Sequence, residues 1–579
     1  MNWSLKPKAP KEFIKQFPEY HPLVLQLLYN RGLKTQKAID EFFNPDYEED
    51  LHDPFLMLGM EKAVKRILKA IKKQEKIAIF GDYDADGICG TVILKTVLDA
   101  LGANLSGGIY IPDRKIEGYG LNIGAVQKLG EQKVQLIITI DCGSSDFKEV
   151  DLANSLGMEV IIVDHHKVGK KLPAVKITIN PWQKKDVYPF KDLAGAGVAF
   201  KLAQALIKNE KKLALGWEKW LLDLVAIATV ADCVSLLGEN RSLVHYGLIV
   251  LAQTQRPGLQ ELMEIARLNP IFESETLKTN LDTYSLGFIL GPRLNAAGRM
   301  DHASLAFELL MTKEREEART LAKKIDQHNQ QRQRLTEQVV AEVEEKIKPC
   351  IRDKSSSIIV ASDKNWSRGI IGLVAGKIAE RYHRPVIIFR EDENESRGSA
   401  RSVEGFDIVD AIAQCADLLI EFGGHPGSAG MSLKNKNLAA FIEKINGIAG
   451  EKLREEDLVP VLEIDNEINA DNITWDLFDK LAEFEPCSDY GNPRPTFLMK
   501  NLEVANLRLV GNGFQHLKLE LKSEKLQNKV FKAIGFRLAK KGNQDLKISD
   551  KVDIVFELIL DEWNGNRELQ FRIIDIKKL

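Results

Sequence analysis

The sequence predicts an α/β protein: a parallel-sheet domain, a long helix leading to a second α/β domain, and a small β-barrel at the C-terminal end. Three observations predict it. Between Lys76 and about Asn180, continuous apolar runs alternate with amphipathic stretches. Residues 305–348 carry a stripe at spacings of three and four. Beyond Leu517, short runs alternate apolar with polar residues and are separated by turn signals.

Residues 1–50 are mixed and contain prolines, and read as a helical extension. The domain at 51–300 follows, with Lys76–Phe80, Val134–Ile140 and Glu159–Val163 as strands. Strands that are apolar throughout belong to a parallel sheet covered on both faces. Residues 181–300 read as a mainly helical insert, including Leu221–Val230. The stripe Leu321, Ile325, His328, Arg332, Leu335, Val339, Val343 and Ile347 predicts one helix over 301–349, ended by Pro349. Two polar residues in that seam favour a helix bridging two domains over a coiled coil. The second α/β domain, 350–452, starts at Ser357–Val360 and continues through Pro385–Phe389. Residues 453–579 form the barrel, with turn signals at 511–513 and 564–566. Phe514 and Phe536 are expected to fill it rather than to stack bases.

A chain of 579 residues is too long for one core. Its 44% hydrophobic and 28% charged content is that of a globular protein. No apolar run approaches the ~20 residues that span a bilayer, so no membrane partner is expected. The opening MNWSLKPKAPKEF has no apolar core of a secretion signal. Cys89, Cys142, Cys233, Cys350, Cys415 and Cys487 form no CxxC pair, which fits a reduced compartment, the cytoplasm. Lys plus Arg (80) against Asp plus Glu (83) gives a net charge of −3. That balance argues mildly against a nucleic-acid binder, although a local cationic groove suffices to hold a backbone.

The acids carry the chemistry. The first strand runs into Asp82-Tyr83-Asp84-Ala85-Asp86-Gly87, the second into Asp141, and the third into Asp164-His165-His166. Ligands of open parallel sheets bind beyond the carboxyl ends of the strands. Carboxylates converging there repel unless a cation neutralises them. Each Asp alone reads as a helix cap; three strand ends, one with adjacent histidines, read as a metal site. Asp82, Asp84 and Asp86 imitate half of a calcium loop, but its twelfth position is Ile93 and a strand precedes it, so that reading fails. Carboxylates with one or two imidazoles suit Mn²⁺ or Mg²⁺, with ligands enough for two ions ~3.5–4 Å apart. Gly195-Ala196-Gly197-Val198-Ala199-Phe200 resembles a dinucleotide fingerprint but ends in Phe200 and is rejected.

The order Asp84-x-Asp86, Asp141, Asp164-His165-His166, Asp232 resembles the DHH phosphoesterases. The resemblance implies that Asp84, Asp86, Asp141, His165 and Asp232 bind two metals, with Asp82 a further candidate. It also implies that His166 faces the phosphate and that Asp164 supports it from behind. Asp232 alone would read as a helix-end acid. Phe422–Gly430 (FGGHPGSAG) looks like the Gly-Gly-His element of the associated substrate domain, with Gly424 and His425 against a phosphate. Gly291–Arg299 (GPRLNAAGR), Ser367-Arg368-Gly369, Ser399-Ala400-Arg401 and Pro112-Asp113-Arg114 resemble the RecJ-like branch, exonucleases that degrade single-stranded DNA. Within that likeness Arg293, Asn295, Arg299, Ser367 and Arg368 contact substrate, while Arg114, Ser399 and Arg401 grip a terminal 5′-phosphate. The barrel would be an oligonucleotide-binding (OB) fold. The family further implies 5′-to-3′ digestion in repair and recombination, alongside a single-strand-binding protein and a helicase; a monomer is the default. A family enzyme for short oligonucleotides or cyclic dinucleotides, and a non-catalytic DNA-binding scaffold, remain as alternatives.

Overall fold

A five-stranded parallel sheet holds the acidic segments. Its strands are β1 (Ile77–Gly81), β2 (Ile109–Tyr110), β3 (Leu136–Ile140), β4 (Glu159–Val163) and β5 (Ile177–Ile179). Their spatial order is β2-β1-β3-β4-β5. Every residue of β1 and β3 is buried, as expected for strands covered on both faces. The short edge strands β2 and β5 were not foreseen; a run of two or three residues is too short to show a pattern. The strand order reverses between β1 and β3, and such a switch point opens a crevice at the strands' carboxyl ends.

Helices α1 (Ala85–Leu101) and α2 (Gly195–Asn209) pack beside this sheet, and α3 (Leu222–Ala231) packs against both, followed by α4 (Gly291–Met300). The expected helix over 301–349 is two helices: Ser304–Met311, then α5 (Arg315–Arg352). Pro349 lies inside α5 rather than ending it, because proline in a last turn removes a single hydrogen bond. Val339, Val343 and Ile347 of the stripe are buried against β6 (Ile359–Asp363) and α6 (Ile371–Tyr382). The second sheet adds β7 (Val386–Glu391), β8 (Glu395–Arg401), β9 (Leu419–His425) and β10 (Ser428–Lys434), in the mixed order β9-β10-β8-β7-β6.

The computed structural model describes residues 1–210, 212–352, 357–511, 513–523, 529–540, 545–562 and 567–579. They form two units. His52–Asp232 with Tyr246–Pro460 contains both sheets above. Met1–Leu51, Cys233–His245 and Val461–Leu579 make the other. In it, β11 (Phe497–Val510), β12 (His516–Ser523), β13 (Val530–Gly535), β14 (Lys551–Asp561) and β15 (Glu568–Lys578) form a barrel closed by pairing of β11 with β14. The N-terminal segment is a strand, Asn2–Leu5, on Val461–Ile464, followed by helices whose Phe13, Leu27 and Phe42 share the barrel's core. Phe514 (69% exposed) and Phe536 (54%) do not fill the barrel. Both lie in turns next to strand ends, where alternation no longer dictates which way a side chain faces. The 564–566 turn signal and Asn512 lie outside the described residues. Among the described residues no helix is long and apolar enough to cross a membrane.

Candidate metal centre and substrate cavity

Asp84 is the N-cap of α1, accepting from the amides of Asp86 (3.0 Å) and Gly87 (3.1 Å), so the capping reading is correct for this residue as well. Asp86, in the first turn of α1, accepts from the Gly195 and Ala196 amides at 2.6 and 2.7 Å. The glycine-rich start of α2 thus receives a carboxylate of this chain. A Cβ on Gly195 would lie 2.8 Å from the Asp141 side chain, so the helix start must be bare. Asp141 leaves β3 with φ at 62°, a left-handed conformation that costs free energy for any residue but glycine. The Tyr119 hydroxyl donates to its carbonyl at 2.9 Å.

His165 Nδ1 donates to the Leu193 carbonyl at 3.0 Å, which fixes the tautomer and leaves the Nε2 lone pair facing acids. Nε2 lies 3.7 Å from Asp86, 3.1 Å from Asp141 and 3.7 Å from Asp232. Asp232 is the C-cap of α3, as its sequence position indicated. Three groups place ligand atoms within 4.8 Å of one another: Asp82, Asp84 and Asp141; Asp86, His165 and Asp232; Asp141, His165 and His166. Asp82 Oδ1 and Asp141 Oδ1 are buried with no hydrogen-bond partner. Burial, then repulsion from neighbouring carboxylates, pushes Asp82 and Asp141 well above the usual carboxylate range. Burial and Asp86 push Asp232 up to about 7. Orphaned, mutually repelling oxygens with imidazole and no thiolate fit Mn²⁺ or Mg²⁺.

Asp164 behaves differently. Burial raises its pKa, but the hydrogen bond and charge of His166 outweigh that and hold it low. It accepts from His166 Nδ1 at 2.8 Å and from the Ser144 amide at 3.1 Å. It belongs to none of the three ligand groups and orients His166.

A cavity of about 830 Å³ opens beside His166 and Asp164. From the first sheet's side Arg114 and Arg299 line it; from the second sheet's side Arg368, Ser399, Arg401, Gly424 and His425 do. The His425 and His166 rings are near parallel, with centroids 6.2 Å apart. Gly424, near the end of β9, has φ at 148°, and a Cβ there would fall 2.3 Å from the Ser428 carbonyl oxygen, so only glycine fits this close strand approach. Burial, then neighbouring Arg114, lowers the pKa values of Arg299 and Arg401, with Asp84 offsetting part of this at Arg299.

Three expected contacts lie elsewhere. Arg293 donates to Asp326 Oδ1 (2.9 Å) and the Ile289 carbonyl (2.8 Å), tying α4 to α5 outside the cavity lining. Asn295 accepts from the Ala85 amide at 2.8 Å and thereby seats the first turn of α1. Ser367 does not line the cavity; its carbonyl accepts from the Ile370 amide at 3.1 Å, at the entry to α6. Conversely, Tyr83, Lys115, Tyr119, Lys167 and Arg397 line the cavity and were not singled out. Tyr83 carries Arg114 over its ring at 4.7 Å. Tyr119 had a signal in its two flanking glycines, Gly118 and Gly120, both at φ 83°.

A doubly covered parallel sheet with acids at its switch point, facing a glycine- and arginine-lined second domain, defines a phosphoesterase architecture. Residues 76–229 match the DHH family N-terminal domain, 355–451 the DHHA1 domain, and 464–575 the RecJ OB domain. The single-stranded-DNA-specific exonuclease RecJ of Bacillus subtilis is 38% identical over 99% of this chain and 70% of its own. That of Haemophilus influenzae is 32% identical over 96% of both chains. The crystal structure of Thermus thermophilus RecJ with Mn²⁺ superposes with a TM-score of 0.83 at 28% identity, covering 100% of this chain and 80% of that one. The same protein has been solved with Mg²⁺. The chain belongs to the RecJ family of single-stranded-DNA-specific exonucleases.

Proposed function

We propose that this protein is a divalent-metal-dependent exonuclease that hydrolyses single-stranded DNA to nucleotides from the 5′ end, acting in repair and recombination. The observation that carries the reading is the adjacency of orphaned carboxylates to a cation-lined cavity. Two ions held by Asp84, Asp86, Asp141, His165 and Asp232, with Asp82 alongside, would supply an activated water and charge neutralisation at phosphorus.

The chain's own groups do the rest. His166, fixed through Nδ1 on Asp164, turns its other nitrogen away from that bond and is placed to stabilise charge on phosphoryl oxygens. Arg114, Ser399 and Arg401 would hold the terminal phosphate, and Arg299, Arg368, Gly424 and His425 the next stretch of backbone. Arg293, Asn295 and Ser367 would position these elements. The exposed rings of Phe514 and Phe536 favour base stacking on the OB barrel.

The test follows long 5′-phosphorylated single-stranded DNA labelled at its 3′ end, with Mn²⁺, beside a blunt duplex. Progressive shortening of labelled strands with the duplex untouched is expected. An intact single strand would overturn the reading, towards the short-substrate enzyme if dinucleotides are cleaved and the scaffold if nothing is.

A further inference from the structure

Tyr284 and Phe288 are 58% and 67% exposed, yet their rings stack on each other, with centroids 5.0 Å apart and planes 19° from parallel. Single exposed aromatics are common, but two adjacent stacked rings make a contiguous apolar patch, the kind of surface that marks a ligand contact. The backbone beneath is also unusual. Ser285–Leu290 is a π-helical turn running straight into α4, and such turns concentrate at functional sites.

Position gives the pair its meaning. A Cβ on Gly287 would lie 3.2 Å from Val230, and one on Gly291 would lie 3.0 Å from the Ala231 Cβ. This turn therefore packs on the end of α3, directly before Asp232. The same helical run continues to Arg299, which lines the cavity about 12 Å along α4 from Gly291 at 1.5 Å per residue. The pair thus stands at one end of a continuous helical run whose other end, at Arg299, lines the cavity. None of the cavity's cations is needed at that distance; flat exposed rings offer a face, not a charge.

We propose that Tyr284 and Phe288 form a stacking platform for nucleobases of the single strand a few nucleotides from the hydrolysed bond. The proposal rests on the exonuclease reading and adds a base-contacting subsite to a cavity that otherwise contacts backbone. Stacking accepts any base, so the platform gives affinity without sequence preference.

Binding of fluorescein-labelled single-stranded DNA to the full chain under chelation, read by anisotropy, tests it. Tyr284→Leu with Phe288→Leu keeps apolar surface but removes stacking, and should weaken binding about tenfold or more. Tyr284→Phe with Phe288→Tyr should restore it. A series of strands with one abasic position each should show a single register that weakens wild-type binding and leaves the leucine variant unaffected. Unchanged affinity and an unchanged abasic profile would overturn the proposal and make the pair a protein-docking patch. Loss of folding in the leucine variant would leave the wild-type abasic series to decide, a flat profile overturning the platform. Failure of wild-type protein to bind any strand would instead overturn the exonuclease reading.

Discussion

At Asp141, folding and function oppose each other. Its backbone is left-handed, its Oδ1 is buried without a partner, and four neighbouring carboxylates raise its pKa further. Asparagine tolerates that backbone and removes the charge. Asp141→Asn should therefore melt at a higher temperature than wild type without metal, yet lose the rise in Tm that Mn²⁺ gives wild type. Its turnover should fall at least about a hundredfold, the loss that even outer partners of a metal can cause. Thermal scans with and without Mn²⁺, beside a nuclease assay, read both; an undiminished Mn²⁺ response would remove Asp141 from the ligand set. Asp146 shows the same conflict away from the ligands. Its carboxylate accepts from the Leu121 amide at 2.8 Å, but burial raises its pKa from 3.8 to about 6. The folded state thus holds the proton more tightly than the unfolded one, so this group's stabilisation is full below about pH 4 and is lost as pH rises through about 6. Asp146→Asn keeps an acceptor for Leu121 and does not titrate. The gap in stability between variant and wild type should widen in the variant's favour across that window, by up to about 3 kcal/mol. A gap that stays constant with pH in denaturant titrations would refute it.

The elements place these residues through a few close approaches. A Cβ on Gly87 would lie 2.7 Å from both the Asp82 Cβ and its carbonyl oxygen, so the first turn of α1 can sit against the end of β1 only without a side chain. Gly87→Ala should cost about 1–3 kcal/mol as overpacking and weaken Mn²⁺ binding by calorimetry, because Asp84 and Asp86 move with the turn. Wild-type Mn²⁺ affinity in that variant would mean the turn does not set the ligands. Arg293 acts between α4 and α5 through its part-buried bond to Asp326. Arg293→Ala should lower stability by about 1–3 kcal/mol and leave the affinity for single-stranded DNA within about twofold. A large loss of DNA affinity with unchanged stability would return Arg293 to the substrate. These two positions show what the sequence made legible and what it did not. Apolar runs ending in Asp82, Asp141 and Asp164 announce both sheet and site, because strand chemistry and ligand chemistry fall on the same few residues. Motif membership is less informative within a helix. Arg293 and Arg299 share one motif, but six residues do not make a whole number of helical turns, so one faces α5 and the other the cavity. Tyr119 lies in a loop with no period to interpret, and its two flanking glycines mark a tight backbone without naming a role. The break at 312–314, which divides the expected long helix, carries only Thr312 as a stop signal, too little to outweigh the flanking helix formers.

Over the whole molecule, a net charge of −3 gives no reason to expect polyanion binding. The distribution reverses that conclusion: acids concentrate at the metal centre and cations around the cavity beside it. Not every cation is available. Arg368 is paired with Asp392, and Lys115 donates to the Met300 carbonyl. Arg114, Lys167, Arg299, Arg397 and Arg401 remain without a carboxylate partner among the described residues, and burial, then repulsion from Arg114, lowers the pKa of both Arg299 and Arg401. An arriving phosphate backbone relieves that repulsion. Five contacts to single-stranded DNA give a log–log slope of affinity against salt of about −3.5. Raising monovalent salt from about 50 to about 200 mM should then weaken binding about 130-fold. Anisotropy titrations under chelation measure this slope directly. Replacing Arg114 or Arg401 with glutamine should make it shallower by about 0.7 each. A slope near zero in wild type would mean that the cavity does not hold the backbone, whatever the nuclease assay shows.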